Sequence, residues 1–315
     1  MLRPFDDTDI ESLVAVWKLS FEHDGFDSRS TLQPLPTAPD IAERAQKAHE
    51  NGGLFLVAES DRVVVGAIEL RWWKEPGELF VYLLDGIVRP DSRNQGIGTS
   101  MLLQVEAHAR SLHAGTSVTS AAVFGGRSAN DDSRALLLNN GYDETFSMVE
   151  MQLDVSRNRE PVSGQPLPHG LTARSPEENE LHLLQQLNAV AYGGRAFVAV
   201  ETNESIEEFV NGATDLTMWR AVWDESEPVA FVSSIERGGF VEVLEVTVHP
   251  DWRRRGIAKT LLSSLLDALT SARQQVVRLH TNGEDVSGAR SLYAAMGFEE
   301  VRTHRRYRKT FAGAG

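Results

Sequence analysis

The sequence predicts an α/β (α+β) protein built twice, as two tandem domains that are each a mixed, mostly antiparallel sheet flanked by helices. Three observations predict it. A motif recurs at a fixed offset, each copy sits in the same order of strands and helices, and 315 residues is long for one hydrophobic core.

The repeat comes first. Residues 84–98 read LDGIVRPDSRNQGIG and residues 244–258 read LEVTVHPDWRRRGIA. With Gly96 placed on Gly256 the offset is 160, and no gap is needed. Val88 then falls on Val248, Pro90 on Pro250, Asp91 on Asp251, Arg93 on Arg253 and Ile97 on Ile257. Downstream, NNGYDET at 139–145 answers AMGFEEV at 295–301, at an offset of 156. Two paired signatures in one order mark a duplication.

The elements follow in order. Ile10, Leu13, Val14 and Trp17 share one face at helical spacing, and Leu181, Leu184 and Leu187 are their counterparts. Strand-like runs come next: 54–59, 63–70 and 79–85 in the first half, then 216–223, 228–235 and 240–248 in the second. Short gaps such as Ser60–Asp61–Arg62 and Gly238–Gly239 suit hairpins, so these strands are expected to be antiparallel. Each third strand enters a glycine-containing turn and then an amphipathic helix, marked in the second half by Ile257, Leu261, Leu262, Leu265 and Leu269. A further strand (117–124 and 275–281), a shorter helix and a closing strand complete each half. Residues 156–170 carry three prolines and two glycines without periodicity. They read as a linker between domains at 1–155 and 171–315.

Composition removes several classes of function. Cysteine is absent, which excludes disulfides, thiolate metal sites and a cysteine nucleophile. The nine histidines show no metal-ligand spacing, so no metal is expected. A net charge of −14 argues against nucleic acid as a partner and is compatible with a cationic acceptor, or simply with solubility. No apolar run is long enough to span a bilayer, and the acidic start MLRPFDDTDIESL lacks a signal-peptide pattern. The expectation is a cytoplasmic protein without membrane partners.

The turn before each helix has a physical reading of its own. A first helical turn has N–H groups without intrahelical partners, and the helix dipole adds positive charge there, so an anion satisfies both. Glycine at 96 and 256 allows close approach, and the small Gly98 and Ala258 let the helix start lie near a ligand. Arg93 and Arg253, with Arg254, Arg255 and Lys259, supply cations. One such turn is common; two in the same strand–loop–helix setting form a phosphate cradle used twice.

On these residues the chain resembles the GNAT superfamily over nearly its whole length. The family loop [QR]-x-x-G-x-[GA], which there binds the pyrophosphate of acetyl-CoA, is met by Arg93-Asn94-Gln95-Gly96-Ile97-Gly98 and by Arg253-Arg254-Arg255-Gly256-Ile257-Ala258. The resemblance implies acetyl-CoA as cofactor. It extends the set of cofactor contacts to the strand ends Ile87, Val88, Thr247 and Val248, to Thr99, and to Asn130 and Asn282. It also gives the closing L-Y-x-x-x-G-F pattern of Leu292, Tyr293, Gly297 and Phe298. A tandem layout of this length is similar to that of mycothiol synthases, which acetylate the cysteinyl amine of a thiol sugar, although no local motif selects that acceptor.

Acetyl transfer to an amine needs a base, because an alkylammonium has a pKa near ~10, and a proton donor for a thiolate whose acid has a pKa of about 8.5. The resemblance implies Glu245 as base, with Glu242 as the alternative, and Tyr293 as acid. In the second half Val286 stands where the family often has asparagine. In the first half Asp85 aligns with Glu245, Asn130 holds the asparagine place, and Leu137 stands where the tyrosine would be. The expectation is that the C-terminal half carries out the chemistry while the N-terminal half binds acetyl-CoA or shapes the acceptor site. A small-molecule primary amine is the expected acceptor, and the protein is expected to be a monomer or homodimer. Peptide N-termini, or a non-catalytic acyl-CoA sensor, are the alternatives. Trp72–Trp73 is read as lying just past the third strand, at a domain seam, and the basic run 301–309 as a solvated terminal strand rather than a 3′-phosphate contact.

Overall fold

In the computed structural model, residues 1–75, 77–115, 121–155, 166–193, 215–272, 274–284 and 287–311 are described. They form two compact units, Met1–Met148 with Thr303–Gly315, and Val149–Arg302. Among the described residues no helix is long and apolar enough to cross a membrane.

The N-terminal unit begins with β1 (Leu2–Pro4), α1 (Ile10–Asp24) and α2 (Ala38–Glu50). Helix α1 ends at Gly25, whose left-handed φ of 62° closes it, and α2 starts in a capping box between Thr37 and Asp40. Strands β2 (Leu54–Ser60), β3 (Val63–Glu75) and β4 (Leu79–Val88) follow as antiparallel neighbours. Asp61 and Arg62 take φ values of 50° and 66° in the β2–β3 turn, the mirror-image geometry that matches strand twist. Then come α3 (Ile97–Ala114), β5 (Ala122–Ser128), parallel to β4, and α4 (Asp131–Asn139). Leu13, Trp17, Phe21 and Ile41 of α1 and α2 bury one face of this sheet, while Met101, Leu102 and Val105 of α3 bury the other. The result is a helix–sheet–helix sandwich.

The C-terminal unit repeats the plan with β7 (Leu171–Arg174), α5 (Leu181–Tyr192), β8 (Arg220–Asp224), β9 (Glu227–Glu236), β10 (Val241–Val248), α6 (Ile257–Ser271), β11 (Val276–Asn282) and α7 (Ala289–Ala295). Leu181 and Leu184 cover one face with Trp219 and Trp223; Leu261, Leu262 and Leu265 cover the other.

The closing strands depart from the simplest reading of the repeat. Strand β6 (Asp143–Asp154) passes from one unit to the other, and its end lies beside β11, with the Val155 N–H donating to Gln275 at 2.8 Å. Strand β12 (Glu299–Phe311) returns, and its Arg305–Phe311 segment pairs antiparallel with β5. Each unit thus takes the strand beside its fifth from the other half of the sequence. Duplicated domains have equivalent closing strands, so an exchange satisfies both sheets.

Other details also differ from the sequence reading. Trp72 and Trp73 lie within β3, and Trp72 packs on Phe80 at 5.8 Å between ring centroids. Residues 216–218 form a 3₁₀ turn ahead of β8. The basic closing strand is partly buried rather than solvated, and two of its cations are taken up by ion pairs. Lys309 binds the buried Glu106 at 2.8 Å, and Arg308 binds the buried Glu75 at 2.5 Å. Linker residues 156–165, strand residues 117–120 and Val286 lie outside the described residues.

Candidate active site

The two glycine loops adopt one conformation. Asn94 and Gly96 have φ of 58° and 80°; Arg254 and Gly256 have 63° and 80°. Asparagine tolerates the left-handed region but arginine does so at a cost, and the recurrence of that conformation at the same loop position in both units points to a fixed shape. Both helices begin without a side-chain cap, so their first-turn N–H groups face outward from the loop.

Parallel pairing ends early on both loop-bearing strands. Strand β4 pairs with β5 only through Leu84 opposite Gly126, and β10 pairs with β11 only at Val241 and Glu242. Beyond those points the strand edge toward the loop is open, and Ile87, Val88, Thr247 and Val248 lie on it. Arg93 and Arg253 each turn part of the guanidinium group back onto the strand end. Each Nε donates to a strand-end carbonyl, of Val88 at 3.0 Å and of Val248 at 3.2 Å. Arg253 also donates to the Ala191 carbonyl at 2.9 Å, whereas Arg93 forks onto Asp24 at 2.7 and 2.9 Å and reaches Asp132 at 3.1 Å. Both arginines tie their loop to the end of the unit's first long helix.

The loops differ in what charge remains. In the C-terminal unit Arg254 and Lys259 have no acidic partner among the described residues, and Arg255 stacks over Trp252 at 4.6 Å. Their N-terminal counterparts are the neutral Asn94, Thr99 and Gln95. Asn130 caps α4 by accepting from the Ser133 N–H at 2.8 Å, and its amide NH₂ donates to Asp24. Exposed Asn282 accepts from the Glu284 N–H at 2.8 Å, so its amide oxygen closes a local turn.

The carboxylates aligned by the repeat sit in opposite environments. A bulge at Leu244 shifts the register of β10 against β9, which turns Glu242, Glu245 and Thr247 toward α5. Thr247 Oγ1 donates to Asn188 Oδ1 at 2.7 Å, leaving the Asn188 NH₂ for Glu245. Burial pushes Glu245 up to about 7 despite that hydrogen bond. Glu242 is also raised by burial, but it is tied to Arg237 at 3.1 Å. Tyr293, on α7, is almost fully buried. Burial, then Tyr192 and Glu245, push its phenol well above its ordinary value. Tyr192 donates to the Val246 carbonyl at 3.3 Å, beside the same carboxylate. The hydroxyl of Ser233, cross-strand from Glu245, is buried with no hydrogen-bond partner among the described residues.

In the N-terminal unit β4 has no bulge, and Asp85 lies opposite Glu69. Burial would raise Asp85, but Arg127, Arg44 and Arg71 outweigh it and bring it down to about 2. Leu137 packs over Gly126, where an added Cβ would lie 2.7 Å from its Cδ2, so apolar side chain fills the place that Tyr293 holds in the other unit.

Asn188 and Tyr192 were not singled out in the sequence. Their signal was an i, i+4 pair on the polar edge of the leucine helix, in LNAVAY.

Comparison with known proteins agrees with this architecture. Residues 19–142 match the acetyltransferase (GNAT) family, and residues 215–300 match an acetyltransferase (GNAT) domain. A mycothiol acetyltransferase of Clavibacter michiganensis is 25% identical over 300 residues, covering 88% of this chain and 94% of the relative. A GCN5-related N-acetyltransferase from Sphaerobacter thermophilus superposes with a TM-score of 0.74 at 18% identity, over 98% of this chain and 95% of that one. A tandem GNAT protein from the clavulanic acid biosynthesis pathway superposes at 0.69 and 16% identity, over 100% and 99%. The chain belongs to the GNAT acetyltransferase family and carries two GNAT domains in tandem.

Proposed function

We propose that the protein is an acetyl-CoA-dependent N-acetyltransferase of small-molecule primary amines, with the chemistry in the C-terminal unit and Glu245 as base. The observation that carries this reading is the pair of aligned carboxylates: Glu245 near 7 beside a buried tyrosine, against Asp85 near 2 among guanidinium groups.

The C-terminal residues fit acetyl-CoA. The open first turn of α6, the left-handed Gly256, and Arg254 and Lys259, which have no acidic partner among the described residues, suit a pyrophosphate, and the open edge of β10 suits an amide-bearing arm. When bound, acetyl-CoA supplies an activated acetyl thioester. A base with a pKa near working pH is matched to its task, because it is ionised in a useful fraction and still accepts a proton. Glu245 takes the proton of the bound ammonium, directly or through a water that the orphan Ser233 hydroxyl can hold. Its carboxylate also attracts the cationic acceptor. Tyr293 keeps its proton throughout the working range and presents Oη as donor to the departing sulfur.

The 25%-identical relative makes the amine of a thiol sugar the first acceptor to assay. Glu245→Gln should lower kcat by roughly 10²–10⁴ while leaving acetyl-CoA affinity intact. Asp85→Asn should stay within about twofold of wild type by the same scale. Equal losses in the two variants, read by thiol release, would remove the C-terminal assignment.

A further inference from the structure

The N-terminal unit holds a cationic cluster at the place where the repeat puts the base. Arg44 of α2 bridges Glu69 at 2.9 Å and Asp85 at 3.2 Å, Arg71 binds Glu69 at 3.0 Å, and Arg127 of β5 binds Asp85. Three guanidinium groups therefore already saturate the two carboxylates. Arg306 on β12 is a fourth. It stands directly opposite Arg127 in the β12–β5 register, on the same face of the sheet. Among the described residues its guanidinium makes no hydrogen bond and no ion pair. Like charges directly opposite in an antiparallel pair are destabilising, and a half-buried cation without a partner adds to the cost. Burial and Arg127 together bring the Arg306 pKa down to about 10. The nearest carboxylate, Asp85, attracts Arg306 but is already shared by Arg44 and Arg127, so it offsets burial and the Arg127 charge only in part.

We propose that Arg306 and Arg127 form a binding site for a small oxyanion, a carboxylate or phosphate group of an organic ligand, on the N-terminal unit. The Arg306 fork presents a planar donor pair that suits either group, Arg127 adds its charge directly opposite while also holding Asp85, and the bound anion neutralises the charge on Arg306. The cluster disfavours an ammonium acceptor, so the two units hold ligands of opposite charge at equivalent positions. That contrast rests on the amine reading of the C-terminal unit, while the anion site itself does not.

The test uses the full chain at constant ionic strength with saturating CoA, so that phosphate does not report on the glycine loops. Thermal unfolding and calorimetry are followed against inorganic phosphate and, separately, succinate. Wild type should show saturable binding of at least one of them. Arg306→Gln should bind at least tenfold more weakly, with amine acetylation unchanged, and Arg306→Lys should fall between because it keeps the charge and loses the fork. Without added anion, Arg306→Gln should melt at or above wild type, since it removes an unpaired cation. A response to phosphate alone assigns a phosphate ligand, and one to succinate alone assigns a carboxylate. No saturable response above a chloride control overturns the proposal. So does Arg306→Gln binding like wild type, or melting below it in the absence of anion. Acetylation lost with anion binding intact would instead count against the amine reading.

Discussion

A single amide opposes burial at the proposed base. Asn188 accepts from Thr247 and donates to Glu245, so its hydrogen bond favours the carboxylate while burial favours the acid, and burial wins. The sign of a substitution follows. In wild type the base is ionised above a pKa of about 7, so kcat/KM should rise through that pH. Asn188→Ala removes the interaction that lowers the pKa, so the rising limb should move to higher pH. A hydrogen bond to a charged group is worth about 1.5–3 kcal/mol, which is a shift of roughly 1–2 pH units. Thr247→Val should shift the limb in the same direction by less, because the amide loses its orientation but not its donor. A pH profile unmoved in Asn188→Ala would detach Glu245 from the reaction. The sequence showed both aligned carboxylates but not their opposite states. Arg44 and Arg127 reach Asp85 from 41 and 42 positions away in the chain, and such tertiary pairs leave no local pattern.

At the scale of elements, the glycine loops and their helices were legible because their signals are local: a glycine, a helical period, a strand run. The bulge at Leu244 was less so, although Glu242 and Glu245, three apart in a strand that otherwise alternates, sit on one face only if a residue is inserted between them. The two loops share backbone shape and differ in charge. Arg93 is neutralised by Asp24 and Asp132 and has neutral loop neighbours, whereas among the described residues Arg253 bonds only carbonyls, with Arg254, Arg255 and Lys259 beside it. A polyanionic ligand should therefore prefer the C-terminal loop. Calorimetric titration with acetyl-CoA should resolve a tighter, more salt-dependent site that Gly256→Trp removes, because a side chain at φ 80° is strained and fills the cradle. Gly96→Trp should remove only the weaker site. If the site lost with Gly96→Trp is the tighter one, backbone geometry outweighs loop charge.

At the scale of the whole molecule, the exchange of closing strands decides what can fold alone. The duplication was readable, and so was the existence of both closing strands. Their partners were not, because strand pairing is set by which edge is open, and two equivalent edges accept two equivalent strands. The N-terminal unit depends on residues from the end of the chain. Tyr307 is buried in its core, and Lys309 is the partner of Glu106, itself 1% exposed. Without Lys309 the buried Glu106 keeps only Arg110 and Tyr142, which weakens its pairing, and losing a buried aromatic costs about 3–5 kcal/mol more. Together these approach the 5–15 kcal/mol that holds a typical domain folded. A fragment of residues 1–155 should therefore fail to unfold cooperatively, and a fragment of 171–315 should do no better, since it lacks the β6 residues Val149, Met151 and Leu153 of its own core. Co-expression should restore both, because each fragment carries the strand that the other lacks. Circular dichroism melts of the separate and combined fragments measure this directly. A 1–155 fragment that melts cooperatively on its own would mean that β12 adds little to the N-terminal unit, and that its buried ion pairs are replaceable by solvent.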